Sequence, residues 1–165
     1  MRHWPSLLTL LLALPLGCAP ASGAASARPV VPDVPLTTVA GDSTDLVKVA
    51  SGRVAVVSLW ATWCDGCLRE MDALVRLDAQ ARHRGDAVVI GVAEGEEPGK
   101  VDAFARQRGL AYPQLVDPDF RLADWMGERS IPATLILDRR GRVVFRGSAL
   151  DEAALAALRA ALGAP

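Results

Sequence analysis

The run Val54–Trp60 restricts the fold of this chain more than any other segment. Its sequence, VAVVSLW, is almost continuously apolar and rich in β-branched residues. Such a run is typical of a strand covered on both faces, because a strand with one solvated face alternates apolar and polar residues. A strand buried in this way needs helices above and below it, so the sequence predicts an α/β domain.

Further strands and helices alternate along the chain. Apolar residues at helical spacing predict a helix from residue 64 to about 84, which Gly85 would end. A small leading hairpin is predicted between residues 36 and 44. Later segments are predicted as strand 87–92, helix 100–108, strand 114–116, helix 120–126, hairpin strands 134–137 and 143–146, and helix 151–162. This order predicts a central mixed β-sheet flanked by helices.

Composition limits the classes of protein that this chain can belong to. It has 165 residues, of which 51% are hydrophobic and 22% are charged, enough apolar material for one globular core. The formal net charge of -1 offers no electrostatic basis for a nucleic-acid partner. We therefore expect a single domain over 36–165 that binds no nucleic acid.

The N-terminal segment has the layout of an export signal. Arg2 precedes the mostly apolar stretch 7–16, which is too short to span a bilayer, and small residues follow. The sequence 14–18, LPLGC, resembles a bacterial lipoprotein box, whereas 25–27, ASA, fits ordinary signal cleavage. The signal peptide is therefore predicted as 1–17 with lipidation at Cys18, or as 1–27. Residues 18–35 are predicted as a flexible tether.

Either route leaves only two free sulfurs, those of Cys64 and Cys67. Lipidation would block Cys18, and cleavage after residue 27 would remove it. His83 is the only histidine beyond the leader, so the residues do not favour a zinc site and no metal is expected. Residues 95–101, GEEPGKV, look superficially like a phosphate loop, but their spacing and the missing Ser or Thr favour an ordinary loop.

The sequence WCDGC places a cysteine pair where a buried strand ends and a helix begins. A helix N-terminus stabilises a thiolate, so the pKa of Cys64 is expected to be lowered, and Cys64 is predicted as the attacking sulfur. Cys67 lies almost one turn further along, on the same side. It is predicted as the more buried, resolving sulfur that closes a redox disulfide with Cys64.

Two segments resemble a known family. Residues 57–71, VSLWATWCDGCLREM, are similar to the active-site segment of thioredoxin-like proteins of the exported TlpA/ResA branch. Residues 130–134, SIPAT, followed by LILDRRG, are similar to that family's second landmark. The resemblance runs from about residue 36 to 162. It implies a thioredoxin-like fold with an N-terminal hairpin and an inserted helix and strand.

The resemblance also implies roles for individual residues. In the family, the proline equivalent to Pro132 is cis and lies against the dithiol, where it and Ile131 would present an edge to an extended substrate. Trp63, beside the nucleophile, could shield it or contact substrate. A glutamate at the spacing of Glu70 tunes the protonation of the cysteines in ResA-like proteins. The alternative for Glu70 is an ordinary surface glutamate.

Two departures from the family concern the redox potential. Gly66 occupies a position usually held by proline, and Ser58 replaces the buried aspartate of cytosolic thioredoxins. The charge of Asp65 opposes the Cys64 thiolate, and destabilising the reduced form makes a couple more reducing. The residues therefore favour a reductase over an oxidant.

These observations predict an envelope thiol-disulfide oxidoreductase, mainly a reductase, with Cys64, Cys67 and Glu70 as its catalytic residues and no cofactor. By analogy, its partners would be client proteins with disulfides, such as an apocytochrome c in cytochrome c maturation, and a membrane electron donor of the DsbD/CcdA type. The alternatives are a disulfide oxidase and a non-enzymatic copper-binding protein of related fold. A peroxiredoxin is less favoured, because the pattern Pro-x-x-x-Thr-x-x-Cys is absent.

Overall fold

A computed structural model describes Met1 and residues 28–128 and 130–163. The predicted signal segment, Cys18 and most of the predicted tether lie outside the described residues. The strands are β1 (Leu36–Thr38), β2 (Ser43–Thr44), β3 (Val54–Trp60), β4 (Ala87–Glu94), β5 (Gln114–Asp117), β6 (Ala133–Leu137) and β7 (Val143–Gly147). The helices are α1 (Leu46–Ala50), α2 (Asp65–Arg84), α3 (Pro98–Arg108), α4 (Arg121–Met126) and α5 (Glu152–Gly163).

The strands form one sheet in the order β2-β1-β5-β4-β3-β6-β7. β3 pairs in parallel with β4, and β4 with β5, whereas the remaining pairs are antiparallel. β1 and β2 form the predicted leading hairpin, and β6 and β7 form the predicted closing one. The predicted α/β class, with a mixed sheet flanked by helices, is confirmed.

β3 lies inside the sheet with all of its residues buried, as its apolar run predicts. Val56 and Trp60 face one core cluster, which includes residues of α2, α3 and α5. Val57 and Leu59 belong to the cluster on the other side, with residues of α1 and α4. The alternation of the strand therefore delivers apolar side chains to both layers.

The structure adds one helix that the sequence pattern does not predict. α1 has five residues and follows Asp45, whose side chain accepts the Lys48 N–H over 2.8 Å as an N-cap. A helix of this length is too short to display the apolar periodicity on which the sequence prediction relies. β4 also extends beyond its predicted end at residue 92, to Glu94.

The described end of the predicted tether is attached to the domain. Val31 is buried and donates its N–H to the carbonyl of Gly141 over 2.9 Å. Val143 donates its N–H to the carbonyl of Pro29 over 2.8 Å. The backbone of residues 29–31 thus pairs with the β6–β7 hairpin, so the folded unit includes residues before 36.

No helix among the described residues is long and apolar enough to cross a bilayer.

Candidate active site

The cysteine pair lies where β3 gives way to α2. Cys64 is the N-cap residue of α2, with extended backbone angles of φ -91° and ψ 98°. Cys64 and Cys67 form a disulfide with their Cα atoms 5.3 Å apart. Both are buried, and Cys67 is the less exposed, at 2% against 6%. The sulfurs thus meet at the first turn of the helix.

The hydrogen bonding distinguishes Cys64 from Cys67. The Sγ of Cys64 accepts the backbone N–H of Cys67 over 3.1 Å, so the sulfur acts as the side-chain cap of α2. The amide and the positive end of the helix dipole both favour negative charge at that atom. This geometry supports the prediction that Cys64 carries the attacking thiolate when the pair is reduced.

Pro132 lies directly against the cysteine turn, and the Ile131–Pro132 peptide bond is cis. A Cβ added to Gly66 would lie 3.0 Å from Cδ of Pro132, closer than side chains ordinarily pack. Because Gly66 has no side chain, the ring of Pro132 can pack against the backbone at this position. The two motifs that carry the family resemblance meet here in space.

The two tryptophans near the cysteines have opposite surroundings. Trp60 is 2% exposed, donates its Nε1–H to Oε1 of Gln114 over 3.1 Å, and packs against Phe104 with ring centres 5.4 Å apart. Trp63 is 64% exposed. Trp60 is therefore a core residue, as predicted, whereas Trp63 presents an apolar surface beside Cys64.

Glu70 is half-buried on α2 and reaches toward the segment that precedes α5. Its Oε1 accepts the Leu150 N–H over 3.3 Å. Burial raises its pKa, the Leu150 N–H opposes that rise, and the charge of Asp151 adds to it. Its Oε2 is buried without a hydrogen-bond partner among the described residues. The contact of Glu70 is thus with Leu150, and its role toward the cysteines stays a prediction.

Comparison with known proteins identifies the family. The model of the AhpC/TSA family matches residues 28–146, well over half of the chain. The chain belongs to the AhpC/TSA family.

Two curated relatives carry the likeness further. The chain is 34% identical over 111 residues to thioredoxin-like protein YneN of Bacillus subtilis, a match that covers 67% of this chain and 64% of the relative. It is 28% identical over 104 residues to thiol-disulfide oxidoreductase ResA of Halalkalibacterium halodurans, a match that covers 63% of this chain and 58% of the relative. The chain thus spans less than two thirds of the length of these relatives. The predicted resemblance to thioredoxin-like proteins of the ResA type is confirmed.

Solved structures support the fold. A thiol:disulfide interchange protein of the thioredoxin family from Chlorobium tepidum aligns with a TM-score of 0.67 and 23% identity, covering 82% of this chain and 97% of that one. At this level of identity the likeness concerns the fold alone. The thioredoxin-like architecture is therefore shown by the sheet order and by this neighbour.

Glu96, which no sequence pattern singles out, holds the loop before Cys64 in this AhpC/TSA family member. Its Oε1 accepts the backbone N–H of Thr62 over 2.9 Å and the Thr62 hydroxyl over 2.6 Å. Its Oε2 pairs with Nζ of Lys100 at 2.7 Å. Burial favours a higher pKa for Glu96, but the bonds from Lys100 and Thr62 outweigh it, so the pKa is lowered and the carboxylate is charged.

The role of Glu96 cannot be inferred from the residues around it in the sequence. The sequence predicts an ordinary loop over 95–101, whereas α3 begins within this segment at Pro98. No local pattern indicates a partner for Glu96, because Thr62 lies 34 residues earlier. Within the fold, β3 and β4 are neighbours, so the segments that leave their carboxyl ends lie side by side. Glu96 and Thr62 together connect the two, in what we call the Glu96 clamp (Thr62, Glu96 and Lys100).

A second missed carboxyl, Glu94, ends β4 opposite Asp117 of β5. It is fully buried, and neither oxygen has a hydrogen-bond partner among the described residues. Burial, followed by the charges of Asp117 and Asp124, raises its pKa to about 8. Glu94 therefore holds a proton at neutral pH. The apolar pattern of β4 does not predict that the glutamate at the end of this strand is buried.

No group of three or more His, Cys, Asp or Glu side chains within the described part of the chain is arranged to hold a metal ion.

Proposed function

We propose that this protein is a thiol-disulfide oxidoreductase of the cell envelope that mainly reduces disulfides of client proteins. The observation that carries the proposal is the Cys64–Cys67 disulfide at the N-terminus of α2, with the Sγ of Cys64 capping the helix. A cysteine so placed has the electrostatic support that an attacking thiolate needs, and a partner sulfur within bonding distance. The sequence lacks the peroxidatic pattern, so disulfide exchange is proposed rather than peroxide reduction.

The proposed cycle starts from the reduced pair. The Cys64 thiolate attacks one sulfur of a client disulfide, forming a mixed disulfide and releasing the other client sulfur as a thiolate. Cys67, after losing its proton, then attacks the Sγ of Cys64 and expels the second client thiolate. The client gains two electrons and two protons, and the protein is left with the Cys64–Cys67 disulfide that the structure contains.

Ile131 and Pro132 are proposed to seat the client during the first step. Pro132 lies against the turn that contains Gly66, and Ile131 precedes it at the cis bond. A proline carries no N–H, so it places no backbone donor against the sulfurs, and the backbone around it can pair with an extended client segment. Trp63, exposed beside Cys64, would contact the same segment.

Glu70 is proposed to take part in the second step by influencing the proton of Cys67. It lies three residues after Cys67 on α2, and its pKa is raised chiefly by burial, so it can exchange a proton closer to neutral pH than an exposed glutamate. We expect Glu70→Gln to slow resolution of the mixed disulfide more than its formation. Rapid-quench trapping of both steps measures the difference, and equal slowing would contradict the assignment.

The direction of the reaction is tested by the reduction potential. Asp65 places a negative charge next to Cys64, which disfavours the thiolate form of the reduced pair. We expect a potential near or below the value of about -270 mV typical of thioredoxin. A value approaching the roughly -120 mV of DsbA would instead indicate an oxidase. Equilibration with dithiothreitol, followed by alkylation of free thiols, measures it.

Re-reduction requires a dithiol donor, for which we propose a membrane transporter of the DsbD/CcdA type. An envelope location rests on the N-terminal segment, with Cys18 as a candidate lipid anchor, and an apocytochrome c is a candidate client by analogy. Fractionation of cells that carry Cys18→Ser tests the anchor. The protein should move from the membrane to the soluble envelope fraction.

The exchange reaction is tested most directly by trapping. Cys67→Ala should accumulate mixed disulfides between Cys64 and its clients, because the resolving sulfur is missing. Non-reducing electrophoresis and mass spectrometry identify them. Cys64→Ala is the matched control, which removes the other sulfur and should trap none. Equal trapping by both variants would overturn the assignment of the two sulfurs, and absence of trapped protein and of any disulfide exchange would overturn the proposed function.

A further inference from the structure

A cavity of about 430 Å³ opens beside the dithiol. It contacts the redox site on two sides, because Trp63 immediately precedes Cys64 and Ile131 immediately precedes Pro132. An extended client segment held along Ile131 and Pro132 would therefore lie across the opening of the cavity. The cavity is lined by Trp63, Phe120, Ala123, Asp124, Glu128, Ser130 and Ile131.

Two aromatic rings form walls of this cavity while remaining accessible. Trp63 is 64% exposed and Phe120 is 44% exposed, in a domain whose other described large apolar side chains are mostly buried. Phe120 has a left-handed backbone, at φ 57° and ψ 25°, which an L-residue adopts at some cost. Its ring lies on Gly95, where an added Cβ would be 2.4 Å from Cζ. The ring thus occupies the space over Gly95 on the cavity wall.

The polar part of the lining is acidic. Asp124 and Glu128 bring carboxylates to the cavity, and none of its described lining residues is cationic. Two arginines of adjoining described segments have other partners. Arg121 pairs with Asp119 at 2.8 Å, whereas Arg146 donates to the carbonyl of Met126 and lies over the ring of Trp125.

Further carboxyl groups lie close to Asp124. Its charge is one of the causes that raise the pKa of Glu94, which places the two groups within electrostatic reach of each other. Asp117, opposite Glu94, acts on Glu94 in the same way. Glu94 itself is protonated at neutral pH, so a positive charge brought next to Asp124 would be attracted by the carboxylates of Asp124 and Asp117, and a negative charge would be repelled.

Aromatic faces combined with carboxylates are the chemistry that recognises an ammonium or guanidinium group on an apolar stem. The rings attract the cation and cover the methylene groups, while the carboxylates form charge-assisted hydrogen bonds. We propose that the cavity binds a lysine or arginine side chain of the client segment that carries the reactive disulfide. The inference rests on the proposed disulfide exchange, and it names the clients as disulfides flanked by a basic residue.

Three sets of disulfide peptides test this selectivity. The sets differ only in the residue at one variable position, which is lysine, norleucine or glutamate. Within each set, this position is placed in turn at each of the three sites on either side of the cysteine. Norleucine keeps the apolar stem of lysine and lacks its charge. The second-order rate of reduction by the reduced protein is measured for each peptide and divided by the rate of the same protein with hydroxyethyl disulfide, which has no side chain to enter the cavity.

At one or more positions we expect the lysine peptide to be reduced about tenfold faster than the norleucine peptide, the size of effect that a partly desolvated cation–π and carboxylate contact gives. The glutamate peptide should be reduced most slowly. The double variant Asp124→Asn with Glu128→Gln should lose most of this preference. Glu97→Gln is the matched control, since it removes one exposed carboxylate that makes no side-chain cap bond. It should keep the preference.

The outcomes separate the two proposals. Equal rates for all peptides at every place, with hydroxyethyl disulfide still reduced, would overturn the basic-residue inference and leave the exchange reaction standing. A lysine preference that survives in the double variant would also overturn it, because the charge would then be recognised elsewhere. Failure to reduce even hydroxyethyl disulfide would overturn the proposed function itself.

Discussion

Glu94 and Glu96 lie two residues apart at the end of β4, and both are almost fully buried, at 0% and 3% exposure. Their surroundings are opposite. Glu96 accepts two hydrogen bonds from Thr62 and pairs with Lys100, whereas both oxygens of Glu94 lack hydrogen-bond partners among the described residues. The same group is therefore charged at one position and protonated at the other. Burial alone does not decide ionisation, because the available donors determine which form is favoured.

The largest expected effect concerns Glu94. The pKa of Glu94 is about 8 in the folded state, against an ordinary value of 4.5. Between these values the unfolded chain loses this proton and the folded chain keeps it, so this group lowers stability as pH rises. We expect the stability of Glu94→Gln relative to wild type to increase by about 4 kcal/mol from pH 4 to pH 9, since each pKa unit corresponds to about 1.4 kcal/mol.

Urea denaturation across this pH range measures the difference for Glu94→Gln. The exposed Glu97→Gln provides the control and should run parallel to wild type. Parallel curves for Glu94→Gln as well would show that Glu94 is ionised in the folded state, and would remove the contrast with Glu96.

A smaller effect of opposite sign is expected for Glu96. Its folded pKa lies below the ordinary value of 4.5, so the stability it contributes is present above that value and is lost as pH falls through the folded pKa. Glu96→Gln keeps an acceptor for Thr62 but turns an amide toward Lys100. We expect a loss of about 2 kcal/mol at pH 7, within the range for hydrogen bonds to charged groups.

The pH dependence distinguishes Glu96→Gln from a general packing defect. Its deficit relative to wild type should shrink as pH falls below 4.5, in the same urea series. A deficit that is constant with pH would show that the carboxylate charge has no part in the clamp. Lys100→Met, which removes the cation from the exposed side of the pair, should reproduce part of the deficit.

The smallest expected effect concerns Thr62. Thr62→Val is nearly isosteric and removes the hydroxyl that donates to Glu96 over 2.6 Å, so we expect the free energy of unfolding to fall by about 1 kcal/mol. Because Thr62 is two residues before Cys64, the pH profile of Cys64 alkylation in the reduced protein should also shift. Thr62→Ser retains the hydroxyl and should restore both. A loss of stability with an unchanged profile would make the clamp a structural contact only.

The fold was predictable because its central segments carry strong local signals. Val54–Trp60 and the helix that follows Cys64 agree with prediction almost residue for residue, since their apolar patterns extend over seven and twenty residues. α1 was missed because its five residues contain little more than one turn, and its N-cap Asp45 is not distinctive alone. Local patterns identify long elements and overlook short ones.

The site was predictable only where its residues lie within motifs. Cys64 and Cys67 are predicted from their spacing at the start of a helix, and Pro132 from the resemblance to a family, and the structure brings them together. Glu96 depends on a partner 34 residues away, and the cavity joins residues from the loop after β3, from α4 and from the segment before β6. Only the three-dimensional fold brings such residues together.

The contrast between Trp60 and Trp63 provides an optical signal. Trp60 is buried and hydrogen-bonded to Gln114, so its surroundings should change little between redox states. Trp63 is exposed and next to Cys64, where a disulfide can quench an excited indole on contact. We therefore expect intrinsic fluorescence to change with the redox state and Trp63→Phe to abolish that change, so that exchange could be timed without attaching a dye.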